Sequence, residues 1–421
     1  MNASFVCQEQ PMLTLNPASR YRDDRPVPRI GLAIAGGGPL GAIYELGALQ
    51  ALNEGIDGLR LHQLDNYVGV SAGAFLATSL ANQVTTSQMC RIFMGAPGAE
   101  FTFEPESFLR PALGEFMQRA RNLPGALYAL VSEAVKHPSR LGRLESVGGL
   151  SRVLPTGIFD NDTIDQFISR VLDRPGRTND FRKLETSLRI VAMDLDTGGA
   201  VRFGEPGTED VPISRAVQAS AALPGLYPPV RINGRYYVDG ALRRTLHASV
   251  ALKEGVDLLI GINPLVPYDS ALAPAAAHPM TESRMIQGGL PLVLSQTFRA
   301  LIQSRMQIGI GKYATEYPKS SILLVEPNRS DERMFFTNMF SYSSRSELAE
   351  HAYRTTRAEL LARADDLEKF LEPYDMRPNR EALSDERSLF ASLRKESAYL
   401  APLGNNLARS LDRLDRALEE I

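Results

Sequence analysis

Two short apolar runs, each followed by a turn of small residues and a helix-like pattern, constrain the fold of this chain most. The first run spans residues 30–35 and stops at GGGP, whereas the second spans residues 67–70 and stops at Ser71. After the first turn, apolar residues recur at every third position from Ile43 to Leu52, as on one face of a helix. Strands that lead through tight turns into helices build parallel sheets, so we predict an α/β fold. Further strands are predicted at residues 188–193, 200–203, 236–238, 258–262 and 321–325.

The composition excludes several classes of function. The 421 residues include 46 Lys and Arg against 49 Asp and Glu, a net charge of −3 that disfavours a nucleic-acid binder. Hydrophobic residues make up 44%, which is typical of globular proteins. The two cysteines, Cys7 and Cys90, have neither disulfide nor metal-site spacing. We therefore expect a cytoplasmic protein, with no metal and no cofactor.

Pattern changes along the chain predict its organisation. Residues 1–28 are polar and aperiodic, so we predict a mobile N-terminal arm without a cleaved signal. The main α/β domain is predicted at 29–325, with a helical cap insertion at 101–152 and a long helix at 284–312. Both segments combine large apolar residues with a basic excess, which suits peripheral membrane contact, although they could equally cap the core.

The last part of the chain, residues 346–421, is predicted to be a helical C-terminal extension. Its apolar residues recur at spacings of three and four, first over 360–371 and again over 407–421. Such narrow stripes pack against another helix. We expect packing within the chain first and a homodimer through these helices second. One uncharged stretch, 66–90, is long enough to cross a bilayer, but its polar residues favour a buried strand, turn and helix.

Ser71 lies in the motif GVSAG at 69–73, between a predicted strand and a predicted helix. A nucleophilic serine requires such a sharp turn, and small flanking residues, here Gly69 and Gly73, allow the turn to pack. The amides that begin the following helix favour developing negative charge. An ordinary glycine-rich turn is the alternative interpretation.

The first turn, GGGPLG at 36–41, lies in the same structural context. Three consecutive glycines allow backbone N–H groups to point into a concavity that suits an oxyanion or a phosphate. The proline and the lack of a suitable acidic residue downstream weaken a dinucleotide fingerprint, and no Lys follows Gly41 as in a phosphate-binding Walker loop. An oxyanion hole fits better than a nucleotide site.

Asp239 follows the strand predicted at 236–238 and precedes Gly240. At the carboxyl end of a parallel strand, this side chain could reach a serine at the end of a neighbouring strand. An aspartate with its usual pKa of about 3.9 is a weak base. We therefore predict that burial raises the pKa of Asp239.

In chain order, the glycine turn, the serine motif and Asp239 resemble the patatin-like phospholipase family. The resemblance covers residues 29–264 and includes GIFD at 157–160, DLDTG at 194–198 and ASAALPGLYPPV at 219–230. It implies a three-layer α/β/α sheet and hydrolysis of lipid carboxyl esters, of the phospholipase A or lysophospholipase kind, through a Ser-Asp dyad and an acyl-enzyme.

Carried over residue by residue, the resemblance implies that Ser71 is the nucleophile and Asp239 the base. It assigns the oxyanion hole to the amides of Gly36, Gly37 and Gly38. The glycines that support these motifs are Gly41, Gly69, Gly73 and Gly240.

Two positions depart from the family pattern. Leu40 stands where the family usually has Arg or Lys, and Ala241 stands where Gly is common. The acyl donor therefore stays open among phospholipid, lysophospholipid, neutral glyceride and storage polyester. A non-catalytic lipid-binding or scaffolding protein on the same fold, and more weakly a nucleotide-binding protein, are the alternatives from other classes.

Histidine offers a rival mechanism, because an α/β-hydrolase triad would run Ser, Asp, His in chain order. His247 and His351 are the candidates for the third member. His247 follows Asp239 by eight residues on a predicted helix leading away, so we expect it to have a structural or surface role. Our hypothesis is that histidine is dispensable.

Overall fold

The computed structural model describes residues 11–21, 26–96, 99–101, 103, 108, 110–111, 156–272, 285–336 and 342–394. A nine-stranded sheet forms its centre, and a two-stranded ribbon of β3 and β11 stands apart. The strands are β1 Leu13–Asn16, β2 Ile30–Ile34, β3 Ile56–Asp57, β4 Asn66–Val70, β5 Ser187–Asp194, β6 Ala200–Phe203, β7 Val230–Ile232, β8 Arg235–Asp239, β9 Leu258–Ile262, β10 Ser321–Val325 and β11 Arg377–Pro378.

Helices connect these strands and cover both faces of the sheet. In chain order, the described α-helices are α1 Gly38–Gly55, α2 Ala72–Ala81, α3 Thr86–Met94, α4 Asp162–Leu172, α5 Ile213–Ser220, α6 Ala248–Lys253, α7 Gly289–Glu316, α8 Glu332–Phe336, α9 Tyr342–Ala362, α10 Ala364–Leu371 and α11 Arg380–Ser384.

The middle of the sheet is parallel, in the order β10-β9-β2-β4-β5. From β2 the chain moves to β4 and β5 on one side, and later to β9 and β10 on the other. The carboxyl ends of β2 and β9 thus flank the point where the strand order reverses, which is where open α/β sheets bind ligands. The sequence prediction of an α/β fold is confirmed.

Alternating residues of β2 show the layering. Leu32 and Ile34 face one apolar cluster, which includes residues of α1 and α9. Ala33 and Ala35 face another, with residues of α6 and with Tyr313 of α7. Both faces of the parallel strands are therefore covered, as parallel sheets require. The predicted three-layer α/β/α arrangement is confirmed.

The C-terminal helices complete the first of these clusters. At Gly47 of α1, an added Cβ would lie 2.4 Å from the carbonyl oxygen of Ala349 in α9, so only glycine permits this close crossing. The stripe predicted over 360–371 is buried, with Leu360, Leu367 and Leu371 at 0% exposure. Packing within the chain is therefore correct for this stripe. The second stripe, over 407–421, lies outside the described residues.

The N-terminal arm is the clearest correction to the sequence prediction. Leu13–Asn16 is not a mobile segment but a strand that pairs antiparallel with Ser321–Val325 at the edge of the sheet. Leu13 is fully buried, and the side-chain hydroxyl of Ser321 accepts the amide of Ala18. Four residues are too few for an alternating pattern to be recognised in the sequence. The segment forms a strand because its backbone pairs with that of β10.

The segments with a predicted membrane role have different outcomes. Most of the cap insertion at 101–152 lies outside the described residues. The long helix is present as α7, displaced by a few residues from the predicted 284–312. The uncharged stretch 66–90 forms the predicted buried strand, turn and helix as β4 and α2, and it also contains the beginning of α3, which was not predicted. Within the described part of the chain, none of the helices has the length and hydropathy to cross a membrane.

Candidate active site

Ser71 forms a strained elbow between β4 and α2. Its backbone has φ 53° and ψ −124°, in the region that L-residues rarely adopt. Glycines make the turn possible: an added Cβ at Gly73 would lie 2.3 Å from the Ala35 carbonyl oxygen, and one at Gly69 would lie 2.5 Å from the Cα of Ala74. The elbow therefore depends on both flanking glycines, as the sequence predicted.

Asp239 is almost completely enclosed, with 3% of its surface exposed. The Ser71 side chain interacts with this carboxylate and lowers its pKa, and the Ala241 amide donates a hydrogen bond to Oδ1 at 2.8 Å. Burial raises the pKa of Asp239 to about 6, although the interactions with Ser71 and with the Ala241 amide oppose the increase. The expected effect of burial on this group is confirmed.

The strand that carries Asp239 runs antiparallel to β5, which corrects the prediction of a parallel strand. Because β6 occupies one edge of β5, strands β4 and β8 must share the other edge. Val70 pairs with Val191, and Asp239 pairs with the next residue, Ala192. The two strands thus meet end to end. Because β8 runs antiparallel to β5, its carboxyl end points toward the carboxyl end of β4. This direction brings Asp239 next to Ser71.

The glycine turn packs directly against this pair. An added Cβ at Gly36 would lie 2.8 Å from Ser71 Cβ and 3.0 Å from Ala241 Cβ. At Gly240, an added Cβ would lie 2.3 Å from the carbonyl oxygen of Val191. Small residues at these positions allow the glycine turn, the serine elbow and the Asp239 loop to converge.

The three glycines have different backbone roles. The Gly36 amide donates to the Thr245 carbonyl at 3.4 Å, so it already has an acceptor. Gly37 is the N-cap of α1, and an added Cβ there would lie 2.5 Å from Cγ of Pro264. Gly38 has φ +62° and open space around it, so glycine is needed there for its positive φ and not for lack of room. The amide of Gly38 lies in the first helical turn, where N–H groups lack helical acceptors.

The family model for patatin-like phospholipase matches residues 32–252, more than half of the chain. The chain belongs to the patatin-like phospholipase family. Two solved structures are also similar to this patatin-like chain. VipD from Legionella pneumophila has 16% identity over 84% of this chain and 70% of its own, with a TM-score of 0.40. The ExoU–SpcU complex of the Pseudomonas aeruginosa type III secretion system has 16% identity over 85% and 73%, with a TM-score of 0.26.

Sequence analysis missed a serine that supports the elbow of this patatin-like site. The Ser71 amide donates to Ser220 Oγ at 2.8 Å, and Ser220 Oγ donates to the Val191 carbonyl at 2.6 Å. Ser220 is fully buried at the end of α5. The sequence feature that could have identified it is the motif ASAALPG at 219–225, in which Ser220 places a hydroxyl group among small apolar residues.

The loop after β9 was also missed. Pro264 packs on Gly37 and Gly41, and Arg299 of α7 donates to the carbonyls of Pro264 at 3.3 Å and Val266 at 3.2 Å. Arg299 is buried and lies over the Phe335 ring, 5.1 Å from its centroid. This arginine therefore supports the glycine turn of the patatin-like site through Pro264. No local sequence motif predicts this contact.

The two candidate histidines occupy different places. His247 is buried at the N-cap of α6, and its Nε2 lies 3.4 Å from the Gly240 carbonyl. Burial lowers the pKa of His247 to about 4. His351 Nε2 lies 2.7 Å from Asp331 Oδ2. The described contacts of Asp239 are thus with Ser71 and Ala241, not with either imidazole. Among the described residues, no group of three His, Cys, Asp or Glu could hold a metal ion.

Proposed function

We propose that this patatin-like protein is a serine acyl hydrolase that cleaves lipid carboxyl esters through a Ser71–Asp239 dyad. The observation that carries the proposal is the convergence of the serine elbow and the Asp239 loop on Gly36, where the Ser71 side chain interacts with the buried carboxylate of Asp239. A serine needs a base within hydrogen-bond reach to become a nucleophile at neutral pH. A carboxylate whose pKa is about 6 is a stronger base than an exposed aspartate and is still largely ionised at pH 7.

The proposed reaction has two steps. In the first, Ser71 Oγ attacks the ester carbonyl carbon while its proton passes to Asp239. The tetrahedral intermediate collapses, the carbon–oxygen bond to the alcohol breaks, and the alcohol leaves with the proton from Asp239. In the second step, water attacks the acyl-enzyme and gives a proton to Asp239. Collapse then returns that proton to Ser71 Oγ and releases the fatty acid.

The negative oxygen of each intermediate needs donors that are already in position. We propose the amides of Gly37 and Gly38 for this role. The Gly36 amide is directed to Thr245, so Gly36 acts mainly by allowing close packing against Ser71. Each lost donor in a hole of this kind costs on the order of 100-fold to 1000-fold in rate.

The finer assignment, a phospholipase A or lysophospholipase, is part of the same proposal. Leu40 is buried in the first turn of α1, so this turn offers an apolar side chain where the family usually has a cation. A neutral glyceride or a storage polyester would satisfy the same dyad. The positional preference and the acyl donor therefore require measurement with defined substrates.

Labelling with a fluorophosphonate tests the proposal. The parent protein should form one covalent adduct, located on the peptide that contains Ser71, and should release fatty acid from a panel of lipid classes followed by mass spectrometry. Ser71→Ala should abolish labelling and lower kcat about a thousandfold or more. The matched control, Ser384→Ala, removes an exposed hydroxyl on α11 and should label normally.

Two results would contradict the proposed function. One is a folded parent protein that forms no adduct and hydrolyses none of the panel, which would favour the non-catalytic lipid-binding alternative. The other is unchanged hydrolysis in Ser71→Ala, which would place the nucleophile elsewhere.

A further inference from the structure

The long helix α7 carries an apolar face that is exposed in the part of the chain that the structure describes. Leu290 is 69% exposed, Phe298 49%, Leu301 57% and Ile308 61%. A soluble surface normally carries such large side chains singly. Here they recur along one helix of 28 residues.

These side chains lie on one side of the helix. We define the outer stripe as Leu290, Leu294, Phe298, Leu301 and Ile308, all more than 40% exposed. At 3.6 residues per turn, the stripe falls within roughly 80° of arc. The same rotation places Arg305, Lys312 and Glu316 in this arc, and all three are exposed. The outer stripe is therefore apolar, with two cations and one terminal carboxylate beside its carboxyl-terminal part.

The opposite side of α7 is attached to the protein by polar contacts. Arg299 and Gln303 are buried there. Arg299 binds the carbonyls of Pro264 and Val266, and Gln296 exchanges hydrogen bonds of 3.1 and 2.7 Å with the backbone of Tyr268. The helix is thus fixed in rotation, so the outer stripe does not turn inward.

The charge of α7 indicates what covers the stripe. Its exposed basic residues are Arg305 and Lys312, since Arg299 is buried on the opposite side, and its single acidic residue, Glu316, is the last of the helix. An apolar stripe with flanking cations matches the boundary of an anionic lipid surface, where apolar side chains enter the acyl region and cations meet the headgroups. We propose that the outer stripe of α7 binds an anionic lipid surface and holds the protein there. This inference rests on the proposed function, since a lipid ester hydrolase takes its substrate from such a surface.

The position of α7 relative to the site adds to the argument. Arg299 holds Pro264, and Pro264 packs on Gly37 of the glycine turn. One helix therefore lies between the lipid surface, on its outer stripe, and the glycine turn, on its inner side. Binding at the outer stripe would therefore place the helix that supports the glycine turn against the lipid surface.

Vesicle co-sedimentation tests the inference without depending on catalysis. The full chain carrying Ser71→Ala is mixed with vesicles of phosphatidylcholine, or of phosphatidylcholine with about one third phosphatidylglycerol, at low and high salt. Binding should be strongest with phosphatidylglycerol at low salt. Adding Leu294→Gln, Phe298→Gln and Leu301→Gln together should lower the partition coefficient about tenfold or more. Arg305→Glu with Lys312→Glu should lower it about fivefold or more for each cation.

Matched variants separate the stripe from general effects. Val27→Gln removes an apolar side chain that is 71% exposed at another place. Lys369→Glu on α10 with Arg377→Glu on β11 makes the same change in net charge as the α7 pair, at positions outside α7. Both controls should bind vesicles like the parent. Circular dichroism confirms that each variant is folded.

Several outcomes would overturn the inference. Absence of vesicle binding by the parent, or equal binding by parent and stripe variants, would do so. A parent dimer in analytical ultracentrifugation that the glutamine variant converts to monomer would assign the stripe to a second copy of the chain. Failure of the proposed function is distinguishable, because hydrolysis of a water-soluble ester by the chain with Ser71 intact does not require the outer stripe.

Discussion

The side chain of Ser71 interacts with the carboxylate of Asp239 and lowers its pKa, and the same carboxylate accepts a hydrogen bond from the Ala241 amide at 2.8 Å. The pair forms where β4 and β8 meet end to end on one edge of β5. Because the carboxylate is buried, its charge, its basicity and the stability of the fold are linked. Two predictions follow from this linkage, one for activity and one for stability.

The activity should depend on pH with an acidic limb only. Asp239 must be ionised to accept the Ser71 proton, and burial raises its pKa from 3.8 to about 6. The kcat/KM for a water-soluble ester should therefore rise tenfold per pH unit below about 6 and level off above it. Stopped assays from pH 4 to 9 measure this. A half-maximal point near pH 4 would contradict the burial argument.

Asp239→Asn should inactivate the protein but stabilise it at neutral pH. The folded-state pKa of Asp239 is raised, so its neutral form favours folding below pH 3.8 and this contribution is lost as pH rises through about 6. The loss amounts to about 3 kcal/mol in the free energy of unfolding. Asparagine keeps an acceptor for the Ala241 amide and avoids the loss.

Urea denaturation of the parent and of Asp239→Asn, at pH 4 and at pH 8, measures this difference. The gain in the variant should be small at pH 4 and largest at pH 8. An equal effect at both pH values would show that the carboxylate is not penalised by burial.

Gly36→Ala should remove activity with little change of global fold. The added methyl group would stand 2.8 Å from Ser71 Cβ and 3.0 Å from Ala241 Cβ, and therefore would push apart the two loops of the dyad. We expect fluorophosphonate labelling to slow about a hundredfold, measured by intact-protein mass spectrometry. Gly311→Ala, in open space on α7, is the control and should label at the parental rate. Normal labelling of Gly36→Ala would contradict the described contact.

Ser220→Ala tests the support of the elbow. It leaves the buried Ser71 amide without its acceptor, which should cost about 1–3 kcal/mol of stability. Because the strained elbow loses its anchor, kcat should also fall about tenfold or more while KM changes little. Ser214→Ala on the same helix removes another buried hydroxyl, hydrogen-bonded to Asn179 at 3.0 Å, and serves as the control. It should lower stability without the loss of kcat. Equal kcat values in both variants would remove Ser220 from the site.

His247→Asn separates the dyad from a triad. His247 has φ 46°, which asparagine tolerates, and burial lowers its pKa to about 4, so the ring is neutral at pH 7. As it lies beside the Gly240 carbonyl and not beside Asp239 in the described contacts, activity should stay within about tenfold of the parent. Steady-state ester hydrolysis provides the measurement. A loss as large as that of Ser71→Ala would establish a catalytic histidine instead.

The parallel core and the elbow could be predicted because their causes are local. A buried run, a turn of small residues and a helical period follow one another in sequence for β2 and β4. Strand direction is different: nothing in residues 235–239 distinguishes a parallel from an antiparallel partner, so β8 was assigned the wrong direction. Likewise, the support of the glycine turn by Arg299 joins segments far apart in sequence, and only the folded chain reveals it.

The strand Leu13–Asn16 has a practical consequence for producing this protein. A version shortened to begin at Arg29, where the family resemblance starts, would lack β1, the strand that pairs with the outer edge of β10. The backbone amide and carbonyl groups along that edge of Ser321–Val325 would then be unpaired. An exposed edge strand of this kind can pair with strands of other molecules and cause aggregation. Retaining the first sixteen residues should therefore favour soluble yield and monodispersity, even though they contribute none of the proposed catalytic groups.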